Sequence, residues 1–286
     1  MWGNRGVMPG KMQGALEQLL SCAGTVSRKP LKYPEDYDVA ASDLRPEIER
    51  VYRSLGGVLQ SIPLNLRPWD LEFDGIAVEL DESLHFNRYR GVILRSASYA
   101  RLPRFPLDAY QHYCSEREEI CLKNGSYGKK WSSPSAEAQF GPASQPKELS
   151  GNGSPRWKQR AFYDFVKDLS PLLMGVKVAR VAVWDELVDA DGTKRIGKIL
   201  SDLVGQSAPR ASARRAALRL RPWSGSEPST RLGIGKHKFV CPAHCPEFIR
   251  SVFPEPLSGH AFREEWRRFA TGRSRDGRRS HNWGIL

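Results

Sequence analysis

The stretch Trp69 to Phe86, WDLEFDGIAVELDESLHF, constrains this chain more than any other, because it sets six carboxylates among strand-forming apolar residues. Asp74-Gly75 separates two such runs, Trp69 to Phe73 and Ile76 to Glu82, and Asp-Gly between alternating apolar residues specifies a two-residue type I′ hairpin. That turn sets the register: Phe73 faces Ile76, Leu71 faces Val78 and Asp70 faces Glu79. Side chains alternate between faces. One face therefore carries Trp69, Leu71, Phe73, Ile76, Val78 and Leu80, and the other carries Asp70, Glu72, Ala77, Glu79 and Asp81. Like charges directly opposed on a sheet destabilise it. A hard divalent cation, Mg²⁺ or Mn²⁺, would compensate, since such ions prefer sites rich in carboxylate oxygen. The plain alternative is a solvated sheet face.

The chain has 286 residues, 40% hydrophobic and 27% charged, enough for one or two globular domains. No apolar run approaches the ~20 residues that span a bilayer, so no membrane partner is expected. The start, MWGNRGVMPGKMQGALEQLLSCAG, breaks its apolar patch at Glu17 and Gln18 and does not read as a secretory signal. Cys22, Cys114, Cys121, Cys241 and Cys245 are odd in number and scattered, which suits reduced thiols and a cytoplasmic location. The net charge of +12 is concentrated at one end, since residues 207–286 carry 16 Lys and Arg against 6 Asp and Glu. Such a block favours polyanions through phosphate contacts and counterion release, although an arginine-rich solvated tail would look the same.

Asp43 to Leu55 reads as a helix with Pro46 in its first turn and Gly56-Gly57 at its end. Residues 87–122 mix aromatics with arginine and read as helical around DAYQHYCSEREEICL. Lys123 to Arg156 is rich in Gly, Ser and Pro and reads as an insertion or flexible loop. Trp157, Ala161, Phe162, Phe165, Val166 and Leu169 then form an apolar helical stripe. VKVARVAVWDEL has the β-branched density of a strand buried on both faces. TKRIGKILSDLVG follows as an amphipathic helix with Gly205 as its C-cap. The expected class is α/β with a small mixed sheet. The expected divisions are an N-terminal extension at 1–41, a core at 42–206 with 123–156 as its flexible insertion, and a basic segment at 207–286.

RPWDLEFDGIAVELDESLHF, with QRAFYDFVKDL, VKVARVAVWDEL and KILSDLV downstream, resembles the PD-(D/E)XK superfamily, the restriction-endonuclease-like fold, and within it the Vsr-like branch. The resemblance covers roughly Asp43 to Gly205. It implies a core of helix, hairpin, helix, strand and helix, and a divalent-metal-dependent DNA endonuclease, a hydrolase that uses Mg²⁺ or Mn²⁺. It places Asp70 as the metal-binding Asp and Glu79 and Asp81 as the paired acids of the next strand, with His85 shortly after. It also implies an acidic residue from the first helix, either Glu47 or Glu49. Asp81 stands where the nominal motif has Lys, and Trp69 where the family often has Pro. Lys158 is the candidate for a migrated lysine, and Gln159 with Tyr163 echoes a Gln-x-x-x-Tyr spacing of the superfamily's RecB-like branch.

The physics of phosphodiester hydrolysis agrees, since a carboxylate-held divalent metal acidifies water and neutralises developing charge. His85 could act as general base or position water, or could be a satisfied histidine at a strand end. Arg88, Arg90, Gln159, Arg160, Arg214 and Arg215 are candidates for nucleic-acid contact, as are Arg95, Arg101 and Arg104 among their aromatic neighbours. His237, Cys241, His244 and Cys245 are zinc-type ligands without a second Cys-x-x-Cys. DNA is the expected partner, and a homodimer is compatible with the sequence. Two other readings stay open: a nucleic-acid-binding protein that keeps the fold without catalysis, and an interaction protein whose acidic hairpin is a docking face.

Overall fold

The structure, a computed structural model, describes residues 10–27, 31–189 and 192–207. Arg214, Arg215, the zinc-type cluster at 237–245 and all but the first residue of the basic C-terminal segment lie outside them.

Helix α1 (Lys11–Ser21) buries Ala15, Leu16, Leu19 and Leu20, and strand β1 (Val26–Ser27) follows it. Helix α2 (Asp36–Ala40) opens with a capping box in which Glu35 and Asp38 bond each other's backbone N–H groups. Helix α3 (Arg45–Ser54) has Pro46 in its first turn and buries Ile48, Val51 and Tyr52; Gly56, at φ +82°, ends it as the glycine pair predicts. Strands β2 (Leu71–Phe73) and β3 (Ile76–Asp81) form the hairpin. Asp74 and Gly75 both have positive φ, 46° and 78°, as a type I′ turn requires. The pairs Leu71–Val78 and Phe73–Ile76 fall in the expected register.

Six helices come next: α4 (Arg88–Ile93), α5 (Leu107–Glu116), α6 (Glu118–Gly125), α7 (Gly128–Trp131), α8 (Pro134–Phe140) and α9 (Pro155–Asp168). The short α10 (Ser170–Met174) leads into β4 (Val178–Ala182), then a β5 (Glu186–Asp189) and β6 (Gly192–Arg195) ribbon, then α11 (Ile196–Ser207). The main sheet has the order β1-β2-β3-β4, antiparallel except for the parallel β3–β4 pair, so the protein is mixed α/β with a small mixed sheet. No helix among the described residues is long and apolar enough to cross a membrane.

Four expectations need correction. Within the segment read as an N-terminal extension, α1 lies in the core and β1 pairs with β2. Residues 123–156 are not a flexible insertion. Trp131 packs edge-on against Trp157 at 5.2 Å, Phe140 packs against Tyr52 at 5.2 Å, and the backbone carbonyl of Gln139 accepts the Tyr52 hydroxyl. The Gly, Ser and Pro of this segment make caps and turns between short helices, as with Ser133 and Ser154, whose hydroxyls accept backbone N–H groups. VKVARVAVWDEL is two strands, because the Asp185 carboxylate accepts the Ala182 N–H at 2.9 Å and folds the chain between them. The last helix starts at Ile196 and runs past Gly205.

Two acids of the hairpin's acidic face, Glu79 and Asp81, are not solvated either. α9 and β4 bring Lys167 and Arg180 onto that face, leaving Glu79 6% and Asp81 0% exposed.

Phe140→Ala should cost about 3–5 kcal/mol, the usual range for emptying a filled aromatic site. Urea unfolding followed by circular dichroism checks this, and a change under about 0.5 kcal/mol would mean that residues 123–156 do not belong to the core.

Candidate active site

Asp70 lies one residue before β2, and the hairpin register carries it opposite Glu79. Its Oδ2 accepts the Leu80 N–H at 2.9 Å, closing the end of the ladder, and its backbone carbonyl accepts the Gln13 amide from α1. Its Oδ1 has no hydrogen bond among the described residues. Glu79 projects from the middle of β3. Its Oε1 accepts the Lys167 ammonium at 2.6 Å, and its Oε2 lies 3.8 Å from the Arg180 guanidinium. Burial raises the Asp70 carboxyl above its ordinary value. Burial pushes Glu79 up to about 7, against the opposing pull of Lys167 and Arg180, and the neighbouring charge of Asp70 adds to the rise. Both residues line a cavity of about 740 Å³, together with His85, Gln159, Tyr163 and Lys167.

Beneath the cavity floor runs a buried ionic network. The Arg180 Nε donates to Asp168 at 2.8 Å and its Nη1 to Asp81 at 2.9 Å, with Asp164 at 3.4 Å. The Tyr110 hydroxyl donates to Asp81 at 2.7 Å and the Tyr99 hydroxyl to Asp168 at 2.6 Å. Arg90, 1% exposed, ends on Asp168 at 2.9 Å and lies over the rings of Phe105 and Tyr110. His85 Nδ1 donates to Asp164 Oδ2 at 2.8 Å. Burial alone would raise the Asp164 carboxyl, but His85 and Arg180 together hold it far below the usual range.

The sequence candidates therefore separate. Asp70, Glu79, His85, Gln159 and Arg160 line the cavity, and Asp81 does not. Asp81, His85 and Asp164 offer ligand atoms within 4.8 Å of one another, the one such group among the described residues. The Arg180 guanidinium already sits on both carboxylates, so that triad carries its own cation. Glu47 bonds Arg50 and the Ser96 hydroxyl, and Glu49 bonds Arg45, so neither reaches the cavity. Lys158 bonds the Asn152 side chain at 2.6 Å and lies over the Tyr89 ring. Arg88 is forked onto Glu118, and Arg90 is too deep to touch a nucleic acid.

Sequence reasoning missed Lys167, Asp164, Arg67, Arg156 and Lys129. The lysine beside Glu79 does come from α9, but from the helix face opposite Lys158, nine residues or two and a half turns away. Gln159, Tyr163 and Lys167 recur at i, i+4 and i+8, as do Arg156, Arg160 and Asp164. Reading α9 for its polar stripes as well as its apolar one would have found both sets. Lys167 is held in place by Glu79, by the Pro68 carbonyl at 3.3 Å and by the Trp69 ring 5.0 Å away. The Trp69 indole in turn donates to the Lys32 carbonyl at 3.1 Å.

Fold and site thus define a mixed α/β protein with a concave acid-base cavity at the open end of a hairpin. The chain belongs to a family of unknown function, DUF7255, which matches residues 50–202. That span includes every lining residue named above except Gln13. No curated protein and no solved structure matches the chain.

Two measurements follow from the electrostatics. Arg180→Ala leaves three buried carboxylates without their shared cation and should destabilise the protein by 3–5 kcal/mol or more; a loss below about 1 kcal/mol in urea unfolding would remove the network from its structural role. The folded Glu79 carboxyl binds its proton more tightly than the unfolded one, so stability is full near pH 4.5 and falls as pH rises toward 7. The expected drop in metal-free protein is on the order of 2–3 kcal/mol, with Asp185, raised to about 6 by burial, adding to it. Urea midpoints at pH 5 and 7.5 should show the fall, and Glu79→Gln should flatten it.

Proposed function

We propose that the chain is a divalent-metal-dependent nuclease that hydrolyses phosphodiester bonds in DNA on a restriction-endonuclease-like core, with the Vsr-like branch as its nearest kin. The observation that carries this reading is the pair Asp70 and Glu79, opposed across the hairpin at a cavity, with Lys167 on Glu79. The donor chemistry fits Mg²⁺ or Mn²⁺. Each carboxylate has one oxygen anchored, Asp70 by the Leu80 N–H and Glu79 by Lys167, and another without a hydrogen bond. Mg²⁺ commonly takes one or two carboxylates and completes its shell with water and phosphate. The bound ion would supply positive charge against the phosphate and make water more acidic.

The rest of the chemistry falls to the chain. Lys167 puts a fixed ammonium beside Glu79, where negative charge develops on the phosphate oxygens, so it serves as the lysine that the strand motif lacks. Its three anchors spare it the cost of reorganising during reaction. His85, with Nδ1 committed to Asp164, has Nε2 left to take or give a proton at the cavity. The basic segment at 207–286 raises affinity for the polyanion.

Purified protein should cut plasmid or single-stranded DNA with Mn²⁺ or Mg²⁺ and not with EDTA. Asp70→Asn or Glu79→Gln should lower the rate by roughly 10²–10³-fold or more, and Lys167→Met by about 10–10²-fold. Cleavage at the wild-type rate by Asp70→Asn would overturn the assignment. The Lys167–Glu79 ion pair favours one second reading, a nucleic-acid-binding protein without catalysis. Calorimetric titration with Mn²⁺ decides, since that reading requires no binding at Asp70 and Glu79.

A further inference from the structure

The cavity has a second wall of opposite charge. Arg67 comes from the segment before the hairpin, Arg156 and Arg160 from the first turns of α9, and Lys129 from α7. None of the four has a carboxylate within ion-pair distance among the described residues. Arg156 touches only the Gln159 side-chain oxygen, and Arg160 donates to the Leu84 carbonyl at 3.2 Å. By contrast Arg90 and Arg180, both fully buried, each end on a carboxylate, and exposed Arg45, Arg50, Arg88 and Arg101 do as well.

Three guanidiniums gathered with no carboxylate in ion-pair contact repel one another, and Asp164, in the same lining, offsets this only from a distance. Burial, and then the charges of Arg160 and Arg67, lower the Arg156 pKa. Folding accepts that cost at a concave surface that Asp70 and Glu79 also line. The guanidinium fork matches the oxygen geometry of phosphate better than any other side chain. A cavity of about 740 Å³ is the size of a small-molecule site. That volume is commensurate with a nucleotide of an unpaired strand.

We propose that Arg67, Arg156 and Arg160 form a phosphate-binding subsite that draws an unpaired nucleic-acid strand into the cavity, gripping the phosphate next to the one presented to Asp70 and Glu79. The assignment of the reacting phosphate rests on the nuclease reading; the grip itself does not. Lys129, exposed at the rim, adds charge to the path of entry.

Binding of a 3′-fluorescein hexanucleotide to the full chain in EDTA, read by anisotropy, tests this with a hairpin duplex and inorganic phosphate as competitors. Arg156→Gln should weaken single-strand binding about tenfold, and Arg67→Gln with Arg156→Gln about a hundredfold. Inorganic phosphate should compete, and the duplex should compete poorly. The double variant should also raise the Tm in phosphate-free buffer by about 2 °C by relieving repulsion, whereas arginines that merely support the fold would lower it. A strand with a 5′-phosphate that binds more tightly than its 5′-hydroxyl counterpart would place a strand end in the subsite, and equal binding an internal phosphate. Single-strand affinity within twofold of wild type in the double variant, or duplex binding as tight through the same residues, would overturn the proposal. Asp70→Asn separates the two readings, because it should lose cleavage and keep this binding.

Discussion

The rest of the structure depends on the buried guanidinium of Arg180. It stands on β4 directly beside Glu79 in the parallel pairing, and it reaches Asp81 on β3 and both Asp164 and Asp168 on α9. One side chain thus joins the central strands to the main helix in a region where an uncompensated charge would cost several kcal/mol. Its carboxylate partners are satisfied in turn by the Tyr99 and Tyr110 hydroxyls, by Arg90 and by His85. Such a network rigidifies the packing around it because each member has a single workable arrangement.

That network also decides which acids are free to act. Asp81 looks equivalent to Glu79 in the sequence, two residues along the same strand and on the same face. In the fold Asp81 points into the interior and is consumed by Arg180 and Tyr110, while Glu79 lies at the edge where the cavity begins. The same division runs along α9. Its apolar stripe of Trp157, Phe162, Phe165 and Val166 fills the core, Asp164 and Asp168 enter the network, and Gln159, Tyr163 and Lys167 face the cavity.

What the sequence made legible was local. The register of the hairpin follows from two residues, Asp74 and Gly75, whose φ angles the turn demands, and so the opposition of Asp70 and Glu79 was readable before any fold was known. The α9 stripe and the end of α3 at Gly56 were readable for the same reason. Several of the misreadings concern distant partners. Trp131 and Phe140 sit in Gly/Ser/Pro-rich surroundings that look like a loop until Trp157 and Tyr52 are placed against them. The sequence points to Lys158 and not to Lys167, and to Arg90 as a nucleic-acid contact, because charge alone does not tell which way a helix presents it. Glu47 and Glu49, assigned by resemblance, are ordinary partners of Arg50 and Arg45 on their own helix.

Two groups of arginines in this protein stand in contrast. Arg90 and Arg180 are matched to carboxylates in the interior, where pairing is the condition for burial. Arg67, Arg156 and Arg160 have no carboxylate in ion-pair contact among the described residues and line a cavity that also holds the raised carboxyls of Asp70 and Glu79. The two walls do not neutralise each other, since Lys167 is the cation within ion-pair reach that the cavity lining supplies to Glu79. Asp70 and Glu79 each keep one carboxylate oxygen without a hydrogen bond among the described residues, while the three arginines have no carboxylate in ion-pair contact. A phosphodiester with its counter-cation would satisfy both at once, the metal on the acidic wall and the phosphate on the basic one. On the nuclease reading proposed above, the two sets of charge would be complementary to a ligand that is itself a cation-phosphate pair.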